Sequence, residues 1–363
     1  MSPRPSRLAC IDALKAVSSQ LIVLHHLAFY GPMSDAAYSL APDMLDWLSQ
    51  YARIAVQVFL VVSGFLAARS LAPQGRLTIR QHPLVAVWRR YQKLVTPYAA
   101  AILISIAGAA IARTWMVHES IPAPPHLMQF LAHVLLLHNV LDVDALSAGV
   151  WYVAIDLQLF ALLVTALWLA RSVSGQGARA GIVLVSALAI ASLFWFNRDA
   201  SWDIWAVYFF GAYGMGTLAY WASNPERSAI PLLLLGAMGL AALIIDFRLR
   251  IAVALATAVL LAVARREGWL EGWPRAAVVG FFGRISYSVF LVHFPICLVV
   301  NAVVSHLAPG RPVINALGML LAWVASNVAG SLFHRYVEST SPFAALRGML
   351  AGGRRRTAGE STT

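Results

Sequence analysis

The sequence predicts an all-α, polytopic integral membrane helix bundle with about ten transmembrane helices and a short interfacial or re-entrant helix. Hydrophobic residues make up 60% of the 363 residues and charged residues only 12%, against about 25% charged in soluble domains. The mean hydropathy is +0.71. Apolar stretches of roughly 20 residues, the length that spans a bilayer, recur along the whole chain.

The same composition excludes several other classes of protein. A chain this apolar is neither disordered nor collagen-like. Cys10 and Cys297 both lie in apolar stretches and indicate packing rather than a disulfide framework or a metal cluster. The net charge of +11 could suggest nucleic acid, but the basic residues flank apolar segments and form no separate basic domain. Membrane topology explains them, and we expect no nucleic-acid partner.

Apolar runs bounded by Pro, Gly and charge clusters define the predicted spans in order. They cover residues 9–30, 51–71, 94–113, 149–170, 180–197, 203–221, 230–246, 249–264, 278–304 and 313–334. The first run is too long for the apolar part of a cleavable signal, and no small-residue cleavage site follows it. The run 126–140 is short for a span and carries three histidines, so we interpret it as the interfacial or re-entrant helix.

Basic residues orient the predicted bundle. With the N-terminus inside, 21 Lys and Arg fall on cytoplasmic segments and 6 fall outside, which satisfies the positive-inside rule. Counting 126–140 as a full span would put the later basic loops on the wrong side. We therefore predict ten spans in one domain, residues 1–346, with both termini cytoplasmic. Residues 347–363 are predicted to be a disordered, basic cytoplasmic tail.

The first predicted span carries a polar stripe. Lys15 and His26 are eleven residues apart, which places them on one helix face about 16 Å from each other. Asp12 and Ser19 lie on the same face. A stripe that starts at the cytoplasmic end and stops mid-membrane at an imidazole suggests a cavity for a cytosolic molecule, although hydrogen bonds between helices would explain it too. His26 is suited to act as a base, and His25 faces a neighbouring helix or water.

Two other regions carry charges with candidate roles. The loop predicted between the second and third spans ends in Arg89, Arg90 and Lys93, which could bind phosphates or simply set topology and contact lipid headgroups. Asp156 lies inside the fourth span, where a carboxylate calls for a partner such as Lys15 or a histidine. A purely structural ion pair would explain Asp156 equally well.

Other chemistries find little support in the sequence. No H-E-x-x-H or Cys/His pair spacing is present, so a metal site is disfavoured. The G-x-S-x-G, Walker A and G-x-G-x-x-G patterns are also missing, which argues against a serine hydrolase, an NTPase and a dinucleotide enzyme.

Six sequence pieces, in order, resemble the acyltransferase 3 family of membrane O-acyltransferases. They are Ile11–Lys15 with His26, Phe59–Phe65 (F-L-V-V-S-G-F), Arg90–Lys93, Trp151–Phe160 with Asp156, Gly283–His293 (G-R-I-S-Y-S-V-F-L-V-H) and Tyr336–Glu338. The resemblance runs from about residue 8 to residue 346. Lys15 and Lys93 stand where the family usually has Arg, and Asp156 where it usually has Glu. Charge is kept at these positions, but the bidentate geometry of Arg is not.

This resemblance implies transfer of an acyl group, commonly acetyl, from cytosolic acyl-CoA to a sugar hydroxyl at the membrane or outside. His26 would act as general base or carry the acyl group briefly, with Lys15 and Asp156 completing the catalytic set. Arg89, Arg90 and Lys93 would hold the CoA phosphates. The substrate-binding candidates are Asp12, His25, Ser286, Tyr287 and His293. His293 would equally serve as a polar residue in helix packing.

Expected partners are acyl-CoA (acetyl-CoA) as donor, a glycan or lipid-linked saccharide as acceptor, and membrane lipids. The expected location is a bacterial inner membrane. A polysaccharide transporter or exporter is the main alternative, because multi-pass bundles with intramembrane charges also describe transporters. A structural subunit of a polysaccharide machine is a weaker alternative, since a scaffold has little reason to keep buried ionisable groups. The sequence leaves oligomeric state open.

Overall fold

The computed structural model describes residues 8–79, 81–172 and 177–340, and these ranges are helical with no β-strand. The helices are α1 (Ala9–Phe29), α2 (Met33–Ala37), α3 (Pro42–Tyr51), α4 (Ala55–Leu71), α5 (Pro83–Trp115), α6 (Leu127–Val134), α7 (Trp151–Arg171), α8 (Gly177–Phe194), α9 (Ala206–Ala222), α10 (Ile230–Ile245), α11 (Leu249–Arg266), α12 (Trp269–Gly272), α13 (Ala277–Leu307) and α14 (Pro312–Phe333). Single 3₁₀ turns lie at Tyr38–Leu40, Ala52–Ile54, Phe196–Arg198 and Ala200–Trp202, and a π-helix, His334–Glu338, continues α14.

Each of the ten predicted runs lies on one long helix of the bundle, so the all-helical prediction is confirmed. Within the described ranges, six helical stretches are long and apolar enough to cross a membrane. They are Pro42–Leu71, Pro83–Trp115, Trp151–Arg171, Gly177–Arg198, Ala277–Leu307 and Pro312–Glu338. The helix α10 is apolar but shorter, and the continuous helix α1 contains several polar residues among its apolar ones. The count of ten spans therefore stays a prediction.

The basic segment before the third predicted span is helix rather than loop, which corrects the sequence interpretation. Pro83 occupies the start of α5, where a missing N–H costs nothing, and the His82 ring accepts a hydrogen bond from the Leu84 amide. No proline or glycine follows before Pro97, and α5 continues past Pro97 to Trp115, 33 residues in all. The three cations therefore have fixed angular positions around a helix.

The predicted interfacial helix is also shorter than the run 126–140. Only α6, eight residues long, is helical, and His126 caps its first turn by accepting from the Gln129 amide. The chain then turns through Leu136 and Asp142, both with positive φ, before α7 begins at Trp151. Two of the three histidines of this segment are buried: His133 and His138 stack with ring centroids 4.2 Å apart.

Close helix crossings hold the bundle together. The helix α4 packs along α9, and α13 packs against α1, α5 and α14. At Gly64 a side chain would lie 1.9 Å from the Tyr213 carbonyl oxygen, and at Gly216 it would lie 2.0 Å from that of Val61. Both positions therefore need glycine, as is common where membrane helices approach closely. The Thr217 hydroxyl donates to the Gly64 carbonyl across the same crossing, at 3.1 Å.

Side-chain hydrogen bonds hold neighbouring elements together at each of the two ends of the bundle. At one end, two carbonyl groups of the segment after α4 accept hydrogen bonds: that of Ala72 from the Trp221 indole N–H and that of Ile79 from the Arg171 guanidinium. At the other, Arg248 bonds to Asn197 and to the Leu193 carbonyl. The tail 347–363, and Arg4, Arg7 and Arg80 of the basic set, lie outside the described residues.

Candidate functional site

A cavity of about 260 Å³ opens between α1, α4, α5, α7, α13 and the π-helix. Six of the eleven candidate site residues from the sequence line it, and they come from α1, α5, α7 and α13. The full lining is Lys15, Phe59, Ser63, Arg90, Lys93, Leu94, Tyr152, Val153, Asp156, Ser286, Tyr287, Phe290 and Glu338. Such a volume is slightly below the roughly 300–1,000 Å³ of drug-sized ligand pockets, so it suits a narrow ligand segment.

Arg90 and Asp156 form an ion pair in the cavity wall. The Arg90 Nη2 and Nε donate to Asp156 Oδ2 at 2.6 Å and 3.2 Å. The Asp156 side chain is 4% exposed and the Arg90 side chain 29%, and the Arg90 guanidinium also lies over the Phe160 ring at 5.5 Å. The sequence analysis suggested Lys15 or a histidine as the partner of Asp156. The structure assigns that place to Arg90, whose charge is thereby largely neutralised.

Lys15 and Lys93 are the other two cations of the cavity lining. No described residue forms an ion pair within 4 Å with either ammonium group. The second carboxylate of the cavity, on Glu338, accepts from the Ser288 hydroxyl at 2.5 Å and contacts His334 Nδ1 at 3.0 Å. Two ammonium groups thus face a narrow space in which both carboxylates already have other partners, an arrangement that favours anions.

Aromatic side chains form another part of the lining. The rings of Tyr152 and Phe290 meet edge to face with centroids 5.4 Å apart, and Phe59 lies 6.1 Å from Tyr152 and 6.4 Å from Phe290. A methyl group placed on Gly149 would lie 3.3 Å from Phe290 Cζ and 3.8 Å from His26 Cε1, so both rings approach the same point beside Gly149. Phe290, which lines the cavity, therefore also lies close to His26.

His26 and His293 form a buried hydrogen-bonded pair beside Phe290. The His26 Nδ1 and the His293 Nε2 are 2.6 Å apart, and the two rings are 8% and 0% exposed respectively. His26 lies in the last turn of α1, three residues before Phe29. The polar stripe of α1 therefore reaches from Lys15 to the last turn of the helix.

Three predicted site residues lie away from this cavity. Arg89 is exposed, because it points about 100° around α5 from Arg90. Asp12 packs beside Gly283 and faces a separate depression with Arg275. His25 Nδ1 donates to the Leu48 carbonyl at 3.0 Å and ties α1 to α3. Neither these three nor the pair His26 and His293 line the cavity, whereas six predicted site residues do: Lys15, Arg90, Lys93, Asp156, Ser286 and Tyr287.

The sequence analysis missed several lining residues, although helical spacing could have found some. Tyr152 precedes Asp156 by four residues and Phe290 follows Ser286 by four, so each pair shares a helix face. Glu338 has no such spacing to another lining residue, although it ends the Tyr336–Glu338 piece of the resemblance. It reaches the cavity from the π-helix that continues α14.

Among residues 8–79, 81–172 and 177–340, no three His, Cys, Asp or Glu side chains converge as metal ligands would. The two stacked histidines of the α6 segment form no such group. His133 is fully used, since its Nδ1 donates to the Gln129 carbonyl and its Nε2 accepts from the Leu146 amide. Desolvation by burial lowers the pKa of His138 to about 3.

Comparison with protein families places this arrangement in a known group. The family model described as an acyltransferase domain matches residues 8–334, nearly the whole chain. The matched range contains the histidine pair and all of the cavity lining except Glu338.

Among curated proteins, the chain is similar to the Regulator of hypoxia-inducible factor 1 of Caenorhabditis elegans. The two are 25% identical over 170 residues, which is 44% of this chain and 34% of that protein. The chain thus spans about a third of the length of this relative. No solved structure matches the chain.

Proposed function

The chain belongs to the acyltransferase family, and we propose that it moves an acetyl group from cytosolic acetyl-CoA to a hydroxyl group of a cell-surface glycan. The observation that carries the proposal is the position of Phe290. It joins a cavity with two available ammonium groups, those of Lys15 and Lys93, to the buried pair of His26 and His293. An anion-binding space that adjoins a buried imidazole provides donor binding and proton transfer in one region.

In this proposal the donor enters from the end that carries Lys93. The ammonium groups of Lys15 and Lys93 bind the CoA phosphates as point charges, while Arg90, neutralised by Asp156, keeps the wall in place. The pantetheine arm follows α1 toward His26, about 16 Å from Lys15. The small cavity suits a short acyl group such as acetyl.

The chemical step uses His26. Its imidazole takes the proton of the acceptor hydroxyl, the oxygen attacks the thioester carbonyl, and the carbon–sulfur bond breaks to release the CoA thiolate. The imidazolium then returns the proton to that thiolate. In the other route His26 itself attacks the thioester carbonyl and the carbon–sulfur bond breaks to release the CoA thiolate. The acceptor hydroxyl then displaces the imidazole from the acetyl group, and its proton passes to the thiolate. A protein with both termini cytoplasmic in a bacterial inner membrane would receive acetyl-CoA and the acceptor from opposite sides.

Isotope transfer tests the proposal. Purified protein in detergent or proteoliposomes is given radiolabelled acetyl-CoA, and CoA release and protein-bound label are followed for wild type, His26→Ala and the control His306→Ala. His306 is exposed on α13, away from the cavity. We expect His26→Ala to abolish transfer while it elutes as folded protein. Acid-labile label on wild type would favour the acyl-histidine route.

A second arm of the same experiment tests donor binding. We expect Lys93→Ala to raise KM for acetyl-CoA about tenfold, the effect of losing one charge-assisted contact to phosphate. Arg179→Ala removes an exposed cation at the start of α8 and should leave KM unchanged. Near-normal turnover by His26→Ala would contradict the mechanism. Glycan movement in sealed vesicles without acetyl-CoA consumption would favour the exporter alternative.

A further inference from the structure

We propose that His293 is a positioning residue that holds His26 in one tautomer, with the proton on Nδ1 and the lone pair on Nε2. The inference rests on the proposed function, in which His26 reacts. It deepens that function by naming the reactive atom and the residue that selects it.

The geometry of the two rings identifies the contact as a hydrogen bond in the ring plane. Their planes are parallel within 2°, with centroids 4.9 Å apart. Parallel rings in van der Waals stacking would keep all their atoms more than about 3.3 Å apart. The separation of 2.6 Å between His26 Nδ1 and His293 Nε2 therefore places the rings edge to edge, with one nitrogen donating to the other.

The backbone of α13 decides which nitrogen donates. His293 Nδ1 lies 3.0 Å from the Val289 carbonyl oxygen and 2.8 Å from that of Phe290. Carbonyl oxygens only accept, so Nδ1 of His293 carries the proton and its Nε2 carries the lone pair. That lone pair accepts from His26, which fixes the His26 proton on Nδ1. The His26 Nε2 is then the unprotonated nitrogen.

Other neighbours leave this assignment intact. The His25 ring lies 5.1 Å from His26 by centroids, but its Nδ1 donates to the Leu48 carbonyl and holds that ring to α3. Tyr30 and Phe294 contact His26 as rings, at 5.5 Å and 6.3 Å between centroids. Within the described part of the chain, the hydrogen bond of the His26 ring is the one to His293.

The consequence for the reaction is a fixed direction of proton transfer. The acceptor hydroxyl gives its proton to Nε2 while the Nδ1 proton stays on the hydrogen bond to His293, so the imidazolium is formed with both N–H groups defined. Nε2 then returns the proton to the departing thiolate, and the pair ends unchanged. A histidine free to exchange tautomers would present the wrong nitrogen for part of the time.

A matched pair of variants tests the role of His293. In His293→Gln the amide oxygen accepts from His26 Nδ1, whereas His293→Met has similar length and no comparable acceptor. We expect Met to lower kcat by about 10–100-fold with KM for acetyl-CoA within about twofold, as is typical when an orienting partner is lost. Gln should retain at least about tenfold more kcat than Met, and the control His306→Gln should match wild type.

The tautomer itself provides a readout besides activity. Ring ¹⁵N signals of histidine-labelled protein in lipid nanodiscs, assigned to His26 by their loss in His26→Ala, should show protonated Nδ1 and unprotonated Nε2 in wild type. A protonated Nε2 in neutral His26 would overturn the inference, and so would equal kcat in the Met and wild-type proteins. If Met fails to fold, the Gln variant and the wild-type spectrum still decide. The assigned tautomer in a protein that turns over no acetyl-CoA would instead count against the proposed function alone.

Discussion

Arg90 lines the cavity, but its ion pair with Asp156 gives it a structural role rather than a ligand-binding one. Arg90 is one of the three cations that the sequence analysis expects to bind phosphates, yet two of its nitrogens contact Asp156 Oδ2. A carboxylate that is 4% exposed needs this partner, because a buried charge without one is costly. The proposed function therefore assigns phosphate binding to Lys15 and Lys93.

We predict strong non-additivity between substitutions of this pair. Arg90→Ala leaves the buried carboxylate unpaired and should cost about 3 kcal/mol of stability. Asp156→Ala should cost less, because the Arg90 side chain is 29% exposed whereas that of Asp156 is 4% exposed. The double variant should be more stable than the sum of the single losses predicts. Thermal midpoints of the purified proteins measure this, and additive losses would mean that the contact contributes nothing.

At the scale of helices, the α4–α9 crossing depends on two positions without side chains. Gly64 and Gly216 let the backbones approach until carbonyl oxygens occupy the space that Cβ atoms would fill. Without hydrophobic driving force between helices in lipid, such contact and the Thr217 hydrogen bond supply much of the attraction.

Replacing Gly216 with alanine should push these helices apart. A Cβ there would lie 2.0 Å from the Val61 carbonyl oxygen, so Gly216→Ala is expected to cost about 1–3 kcal/mol by overpacking. Gly236→Ala in α10 is the matched control, because nothing lies within 4 Å of its added methyl group. That control should be neutral or stabilised by up to about 1 kcal/mol. Equal thermal midpoints for both variants would show that the crossing is not tight.

The segment between α6 and α7 should open more readily as pH falls. When the segment is open, His138 becomes protonated below about pH 6.5. While the segment is folded, burial keeps the pKa of His138 at about 3. Opening therefore becomes easier by at most about 1.4 kcal/mol per pH unit between these values. His133, whose pKa burial also lowers, adds in the same direction.

Hydrogen exchange over residues 127–149, corrected for its intrinsic pH dependence, measures this opening. His138→Phe keeps an aromatic ring on His133 and should remove most of the pH dependence. An unchanged pH dependence in that variant would assign the effect to other groups.

Across the whole molecule, polar residues gather at two opposite ends. Arg198 and Arg248 contact Asp246 at one end, at 3.5 Å and 3.3 Å, near Asn197. The Arg265 side chain donates to the Tyr220 carbonyl at the other. An arrangement with helix ends alternating between two polar zones is what a bilayer imposes on a bundle.

The proposed orientation predicts which loops face the cytoplasm. In a Cys10→Ser, Cys297→Ser background, a membrane-impermeant maleimide should label Ser201→Cys from outside the cell. It should label Ser228→Cys only after the membrane is permeabilised. Both serines are exposed and lie in loops at opposite ends of α9. The reverse labelling pattern would invert the topology and move the donor cavity to the outer face.

The sequence by itself determined where the long helices lie, because apolar runs and their Pro, Gly and charged boundaries are local properties. Only the tertiary structure decided which side chains meet. Arg90 reaches Asp156 across 66 positions and His26 reaches His293 across 267, and both contacts depend on how helices are rotated and packed. The rotation of α5 about its own axis leaves Arg89 exposed while its neighbour Arg90 lines the cavity. No local sequence pattern specifies this rotation, because the packing of distant helices sets it.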